Sequence, residues 1–205
     1  MNSIRHMGAA LGAVVLLLLL WGAPPASAQG TPVGTAQNAI GTLLVVRSDG
    51  IEDRLQGKGS LPLYEGDVLR TEAATQALIQ FRDGVQVALN EGTAFKILSR
   101  WEKARGITRI IRLSQGEVWV TTGEGLKQLE VETPVATAIV EGTEFSLKVQ
   151  EDGQSVLTVI QGVVQFGTPF GTCPIRTGTI SDGARGRRCT KPAETKVQPA
   201  IAWTQ

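Results

Sequence analysis

Histidine is almost missing from this 205-residue chain: there is one, His6. Nothing beyond the N-terminal segment can therefore supply His-based acid–base catalysis, a Ser-His-Asp or Cys-His nucleophile, or a His-ligated metal. An excess of charge of one sign is also missing. Twenty Lys and Arg stand against 19 Asp and Glu, so no strong field toward nucleic acid or a membrane surface follows. There is no Walker-type phosphate loop, because "GKGSLP" at 57–62 has the wrong spacing. Carboxylates are scattered at turns and outer faces. These absences point away from an enzyme and leave no catalytic, cofactor-binding or metal residues to name.

Long apolar runs are missing except for one. "MNSIRHMGAALGAVVLLLLLWGAPPASAQG" carries Arg5, then an apolar run around Val14 to Leu20, then a Pro24-Pro25 break and Ala26-Ser27-Ala28. That order is a signal peptide with a small-x-small processing site, and a retained anchor is the rival reading. The expectation is a signal peptide over 1–28, a mature chain from Gln29, no membrane span after cleavage, and a periplasmic or secreted protein. Cysteine is scarce as well. Cys173 and Cys189 are the only pair, read as a disulfide in an exported chain, with two free thiols as the alternative. The closed loop would contribute about 3 kcal/mol in the chain-entropy account.

What is present is β texture. Residues 29–40, "QGTPVGTAQNAI", read as a flexible lead-in. From Gly41, runs rich in Val, Ile, Leu and Thr alternate with Gly-containing turns: "TLLVV", "GDVLRT", "ALIQF", "VQVAL", "TAFKIL", "ITRIIRL", "GEVWVTT", "QLEVET", "TEFSLKV", "SVLTVI" and "VVQF". Three Asp-Gly pairs, Asp49-Gly50, Asp83-Gly84 and Asp152-Gly153, mark hairpins. "SRWEKARG" at 99–106 is too short for more than a turn of helix or a charged loop. Residues 169–205, rich in Gly, Pro and Thr, read as an irregular disulfide-closed loop and an extended tail.

Two elements recur. "EGTAF" at 91–95 returns as "EGTEF" at 141–145, and "LSQGEVWV" at 113–120 returns as "VIQGVVQF" at 159–166. In both copies Thr, Phe and the next alternate apolar residue share one strand face, and Gly92 or Gly142 precedes the strand as a structural turn with φ > 0. The order describes a degenerate internal repeat of about 50 residues, with stacked units sharing one core. The expected fold is all-β, a solenoid-like stack of short strands over 41–168, with a β-sandwich as the alternative.

Two features invite partners. Trp119 alternates with Val118 and Val120, so it lies opposite the core face; it is either a stacking platform for a sugar or peptide or a residue covered by a second layer. "RTGTISDGARGRRCTK" gathers Arg176, Arg185, Arg187, Arg188 and Lys191 against Asp182. It is either a contact for an acidic partner or envelope polymer, or a solvated loop. It lacks the aromatics that nucleic-acid binding would want.

Together, "YEGDVLRTEAATQALIQFRDGVQVALNEGTAFKI", "LSQGEVWV", "VETPVATAIVEGTEFSLKV" and "VLTVIQGVVQFG" resemble the FecR domain, the extracytoplasmic module of a family of sigma-factor regulators. The most specific part is Thr133-Pro134-Val135-Ala136 followed by Val140-Glu141-Gly142-Thr143-Glu144-Phe145. The resemblance, over roughly 41–168, implies a solenoid-like β domain that receives or relays a signal by protein contact outside the cytoplasm. About six residues precede the apolar run, so the expectation is the domain without a cytoplasmic anti-sigma segment. The function expected is that of an exported, non-enzymatic domain binding an envelope protein or polymer, with envelope signalling as its setting. The alternative is a carbohydrate- or peptidoglycan-binding module using exposed aromatics.

Overall fold

The computed structural model describes residues 30–102, 106–123 and 129–197. The proposed signal peptide, Trp21 and Trp203 lie outside these residues, as does the side chain of Trp101. Among the described residues there is no helix. The strands are β1 (Gly34–Val46), β2 (Glu52–Leu63), β3 (Val68–Thr71), β4 (Gln76–Phe81), β5 (Gln86–Leu89), β6 (Ala94–Glu102) and β7 (Gly106–Thr121). They continue with β8 (Leu129–Glu132), β9 (Thr137–Val140), β10 (Glu144–Val149), β11 (Ser155–Gln161), β12 (Val163–Thr168), β13 (Gly171–Arg176), β14 (Thr179–Gly183) and β15 (Ala193–Glu194).

Hairpins are set locally by the Asp-Gly turns. Asp49, Asp83 and Asp152 each accept a hydrogen bond from the backbone N–H two residues on, at Ile51, Val85 and Gln154. The following glycine N–H donates back to Arg47, Phe81 or Gln150. Asp therefore mimics a backbone acceptor and fixes the turn before the ladder forms. The turns join β1 to β2, β4 to β5, and β10 to β11.

β4 and β5 alternate cleanly between core and the outer face. Every second residue of both is buried, the pattern of a sheet with one wet face. Four of the five phenylalanines, Phe81, Phe95, Phe145 and Phe166, are at most 1% exposed. Each such ring contributes about 1.5–3 kcal/mol by leaving water. They sit with the aliphatic residues of both copies in one continuous core.

The ladder closes on itself. The order β7-β5-β4-β1-β3-β6 returns to β7 through the β6–β7 pairing. Two long strands make this possible. The first half of β1 pairs with β4 and the second half with β3. The first half of β7 pairs with β6 and β8, and the second half with β5 and β10. The remaining strands extend the sheet through β8-β9-β12-β13 and through β10-β11-β14-β15. The fold is all-β, as expected. Its finer form is neither a simple solenoid stack nor a two-sheet sandwich but a closed ring with extra strands, because β1 and β7 bend and serve both sides of the core.

The repeat is visible in the registers. Phe95 faces Leu113 and Ala94 faces Gln115; Phe145 faces Val159 and Glu144 faces Gln161. Both ladders slip at the same step, between Ala94 and Phe95 and between Glu144 and Phe145. The glycines of the Gln-Gly elements sit where each chain turns out of this slip. A Cβ on Gly116 would lie 2.4 Å from the Thr93 Cα, and one on Gly162 would lie 2.8 Å from the Thr143 Cγ2. With φ of 85° and 93° as well, these two positions accept no side chain.

Three local expectations are corrected. Residues 34–40 of the supposed flexible lead-in are the first half of β1, held between β2 and β4. Residues 99–102 extend β6, pairing with 106–109, instead of forming a helical turn or a charged loop. Residues 171–183 of the supposed irregular loop form two strands, β13 and β14.

Candidate interaction surfaces

The repeated corners carry an internal hydrogen-bond design. Gly92 and Gly142 have φ of 63° and 60°, and the space where a Cβ would sit is open at both. Beyond Gly92, the buried Thr93 hydroxyl donates to the Glu117 carbonyl at 3.0 Å and accepts from the Glu117 N–H at 3.0 Å. Thr71 Oγ1 accepts from the Thr93 N–H at 2.8 Å, and Thr122 Oγ1 accepts from the Thr143 N–H at 2.7 Å. The exposed Glu91 carboxylate accepts from the Ala74 N–H at 2.7 Å. Ala74 holds a positive φ of 52°, so Glu91 steadies a strained turn. These groups work on the backbone, not on a ligand.

A buried ion pair supports the other end of the barrel. Arg47, on the turn after β1, binds Asp67 at 2.6 Å and Asp53 at 2.7 Å. It also donates to the Pro62 carbonyl. Burial pulls the guanidinium pKa down, but hydrogen bonds and charge from Asp53 and Asp67 more than offset this, so it ends raised. The carboxylate of Asp67 also accepts from the Tyr64 N–H, so the cluster is fully paired and structural. No group of three or more His, Cys, Asp or Glu among the described residues could hold a metal ion.

Trp119 lies on the outer face of β7, between Ala88 of β5 and Ser146 of β10. It is half-buried, and its indole N–H donates to Glu144 Oε1 at 3.0 Å. The ring is thus fastened to its own sheet rather than presented as a free platform.

Arg185, Arg187 and Arg188 are exposed on the segment between β14 and Cys189. Cys173 and Cys189 are bonded, with Cα atoms 6.2 Å apart. The bridge clips this basic segment against the β12–β13 hairpin. There the Thr168 hydroxyl donates to the Arg187 carbonyl at 2.9 Å. The structure therefore brings the cysteines and arginines together and leaves Trp119 on a different strand pair. Sequence reasoning missed Phe170, at the tip of that hairpin and 56% exposed.

A groove of about 420 Å³ opens beside the same hairpin, lined by the Thr133–Thr137 segment, Ile139, Gln165 and Thr172 among others. No charged side chain lines it. Its floor is fixed by Thr133, whose hydroxyl accepts from the Ala136 N–H at 2.9 Å and donates to the Ala136 carbonyl at 3.0 Å. Pro134 at the bend has no N–H to satisfy. The Thr-Pro-x-Ala element is thus a self-bonded turn that carries β8 into β9 and forms one wall of the groove.

Residues 67–165, which hold both copies of the repeat except Phe166, match the model of the family described as FecR protein. This segment is a FecR domain. No curated protein matches the chain. Two crystal structures of a candidate anti-sigma factor from Parabacteroides distasonis ATCC 8503, at 2.50 and 1.65 Å resolution, share the fold with a TM-score of 0.58 and 20% identity. The match covers 67% of this chain and 64% of that one, so the chain spans under two thirds of that protein's length. At this identity the likeness establishes the fold of the FecR domain and nothing finer.

Proposed function

We propose that the chain is an exported, non-enzymatic FecR-domain protein that works in the periplasm or outside the cell and binds a partner protein in envelope signalling. The observation that carries this reading is the uncharged groove walled by Thr133-Pro134-Val135-Ala136. It joins the most family-specific sequence element to a concavity that offers apolar and hydroxyl groups without charge. Such a lining suits an extended protein segment, since threonine and glutamine side chains can bond a backbone while Ile139 and Val135 hold an apolar side chain. The match of residues 67–165 to the FecR family model, and the crystal structures of a candidate anti-sigma factor that share the fold, support it.

Photo-crosslinkers placed at Ile139 and at Gln165 in living cells test the proposal. Both positions should capture the same discrete envelope protein, and Thr137→Arg should abolish capture without loss of fold. No crosslink above background at either position would defeat the reading.

A further inference from the structure

We infer that the tip of the β12–β13 hairpin, with the basic segment clipped beside it, docks on an anionic lipid surface. Four phenylalanines fill the core, yet the fifth, Phe170, is 56% exposed at a two-residue tip next to the exposed Pro169. The tip is built rather than loose: the Phe170 N–H donates to Thr168 Oγ1 at 3.2 Å, and the same hydroxyl donates to the Arg187 carbonyl at 2.9 Å. Arg188 lies across the tip so closely that a Cβ on Gly171 would be 2.6 Å from its Nε. The Cys173–Cys189 bond closes the base of the arrangement.

An exposed aromatic ring thereby stands beside a basic segment, with Arg188 across its tip. Arg185, Arg187 and Arg188 are all exposed and form no ion pair among the described residues. The nearest acid in sequence, Asp182, is occupied by Gln154 at 2.7 Å and Thr190 at 2.9 Å. The whole chain carries a net charge of only +1, so this concentration is local and would orient the molecule rather than merely attract it. A projecting ring needs either a matching pocket or a medium that yields. Interfacial lipid yields, accepts the aromatic at headgroup depth, and offers phosphates to several guanidinium groups at once. That charge and shape complementarity favours a lipid surface over an acidic protein.

Flotation of the purified, disulfide-intact chain with phosphatidylcholine vesicles, with and without phosphatidylglycerol, tests this. Binding should require phosphatidylglycerol and weaken as salt rises. Phe170→Ser should reduce it roughly tenfold, and Arg187→Gln with Arg188→Gln by about tenfold or more. Reduction of the disulfide should weaken binding, and Ile51→Ser, at an exposed apolar residue of the distant β1–β2 turn, should leave it unchanged. All variants are at exposed positions, and unchanged thermal unfolding would show that they remain folded. Binding that ignores phosphatidylglycerol, or that survives both the Phe170 and the Arg substitutions, would overturn the inference. Absence of binding would also overturn it, while leaving the groove reading intact.

Discussion

The two copies of the repeat allow a paired experiment on one hydroxyl. Thr93 and Thr143 occupy equivalent corners, and both are buried, at 1% and 3% exposure. Thr93 Oγ1 makes two hydrogen bonds with the Glu117 backbone. Thr143 Oγ1 is buried without a partner among the described residues. Valine keeps the β-branched shape and replaces the hydroxyl by a methyl. Thr93→Val removes both bonds. The Glu117 carbonyl still receives the Asn90 N–H at 3.0 Å, but the Glu117 N–H is left unsatisfied in a half-buried site. A lost bond at about 1 kcal/mol and an orphaned donor at about 1–3 kcal/mol give a destabilisation of roughly 2–4 kcal/mol. Thr143→Val removes a group whose burial is already a cost, so it should be neutral or stabilise by up to about 1 kcal/mol. Urea unfolding at constant m-value reads both. If the two variants differ by less than about 0.5 kcal/mol, or if Thr143→Val is the worse, the hydrogen-bond account of the corner is wrong.

The glycines should separate in the same assay. Gly92→Ala meets open space and should cost about 1 kcal/mol for its φ alone, whereas Gly116→Ala drives a Cβ into the Thr93 backbone and should cost more than about 3 kcal/mol or prevent folding. Arg47→Met should cost about 3–5 kcal/mol by stranding the buried Asp67, and adding Asp67→Leu should recover much of it, since a buried pair can often be replaced whole. The intact mass of the exported protein should correspond to a chain beginning at Gln29; a full-length product would restore the retained-anchor reading.

Most of the β texture could be read before folding because it follows alternation. β4, β5 and the start of β12 present every second residue to the core, and Asp-Gly turns close the β4–β5 and β10–β11 hairpins. β2 was missed because it pairs only with β1, so it keeps the Gly, Lys, Ser and Pro of an edge strand. The first half of β1 was missed for the opposite reason. It is crowded: Ala36 is fully buried, and a Cβ on Gly34 would lie 2.9 Å from the Phe81 ring. Small residues chosen for close approach look like a flexible segment in sequence. The candidate surfaces divide in the same way. The arginine cluster and the outward placement of Trp119 were legible from composition and period. The fastening of Trp119 by Glu144 and the exposure of Phe170 were not, because both depend on which strands meet across a register.

Sharing β7 between the copies has a consequence for how the protein can fail. In a linear repeat array an end unit can fray while its neighbours persist, because each contacts only the next. Here the first half of β7 holds β6 and β8, and its second half holds β5 and β10. Neither copy can detach without exposing an edge of the other. A molecule that bears the marks of duplication should therefore melt in a single all-or-none transition, with no half-folded species in which one copy survives alone.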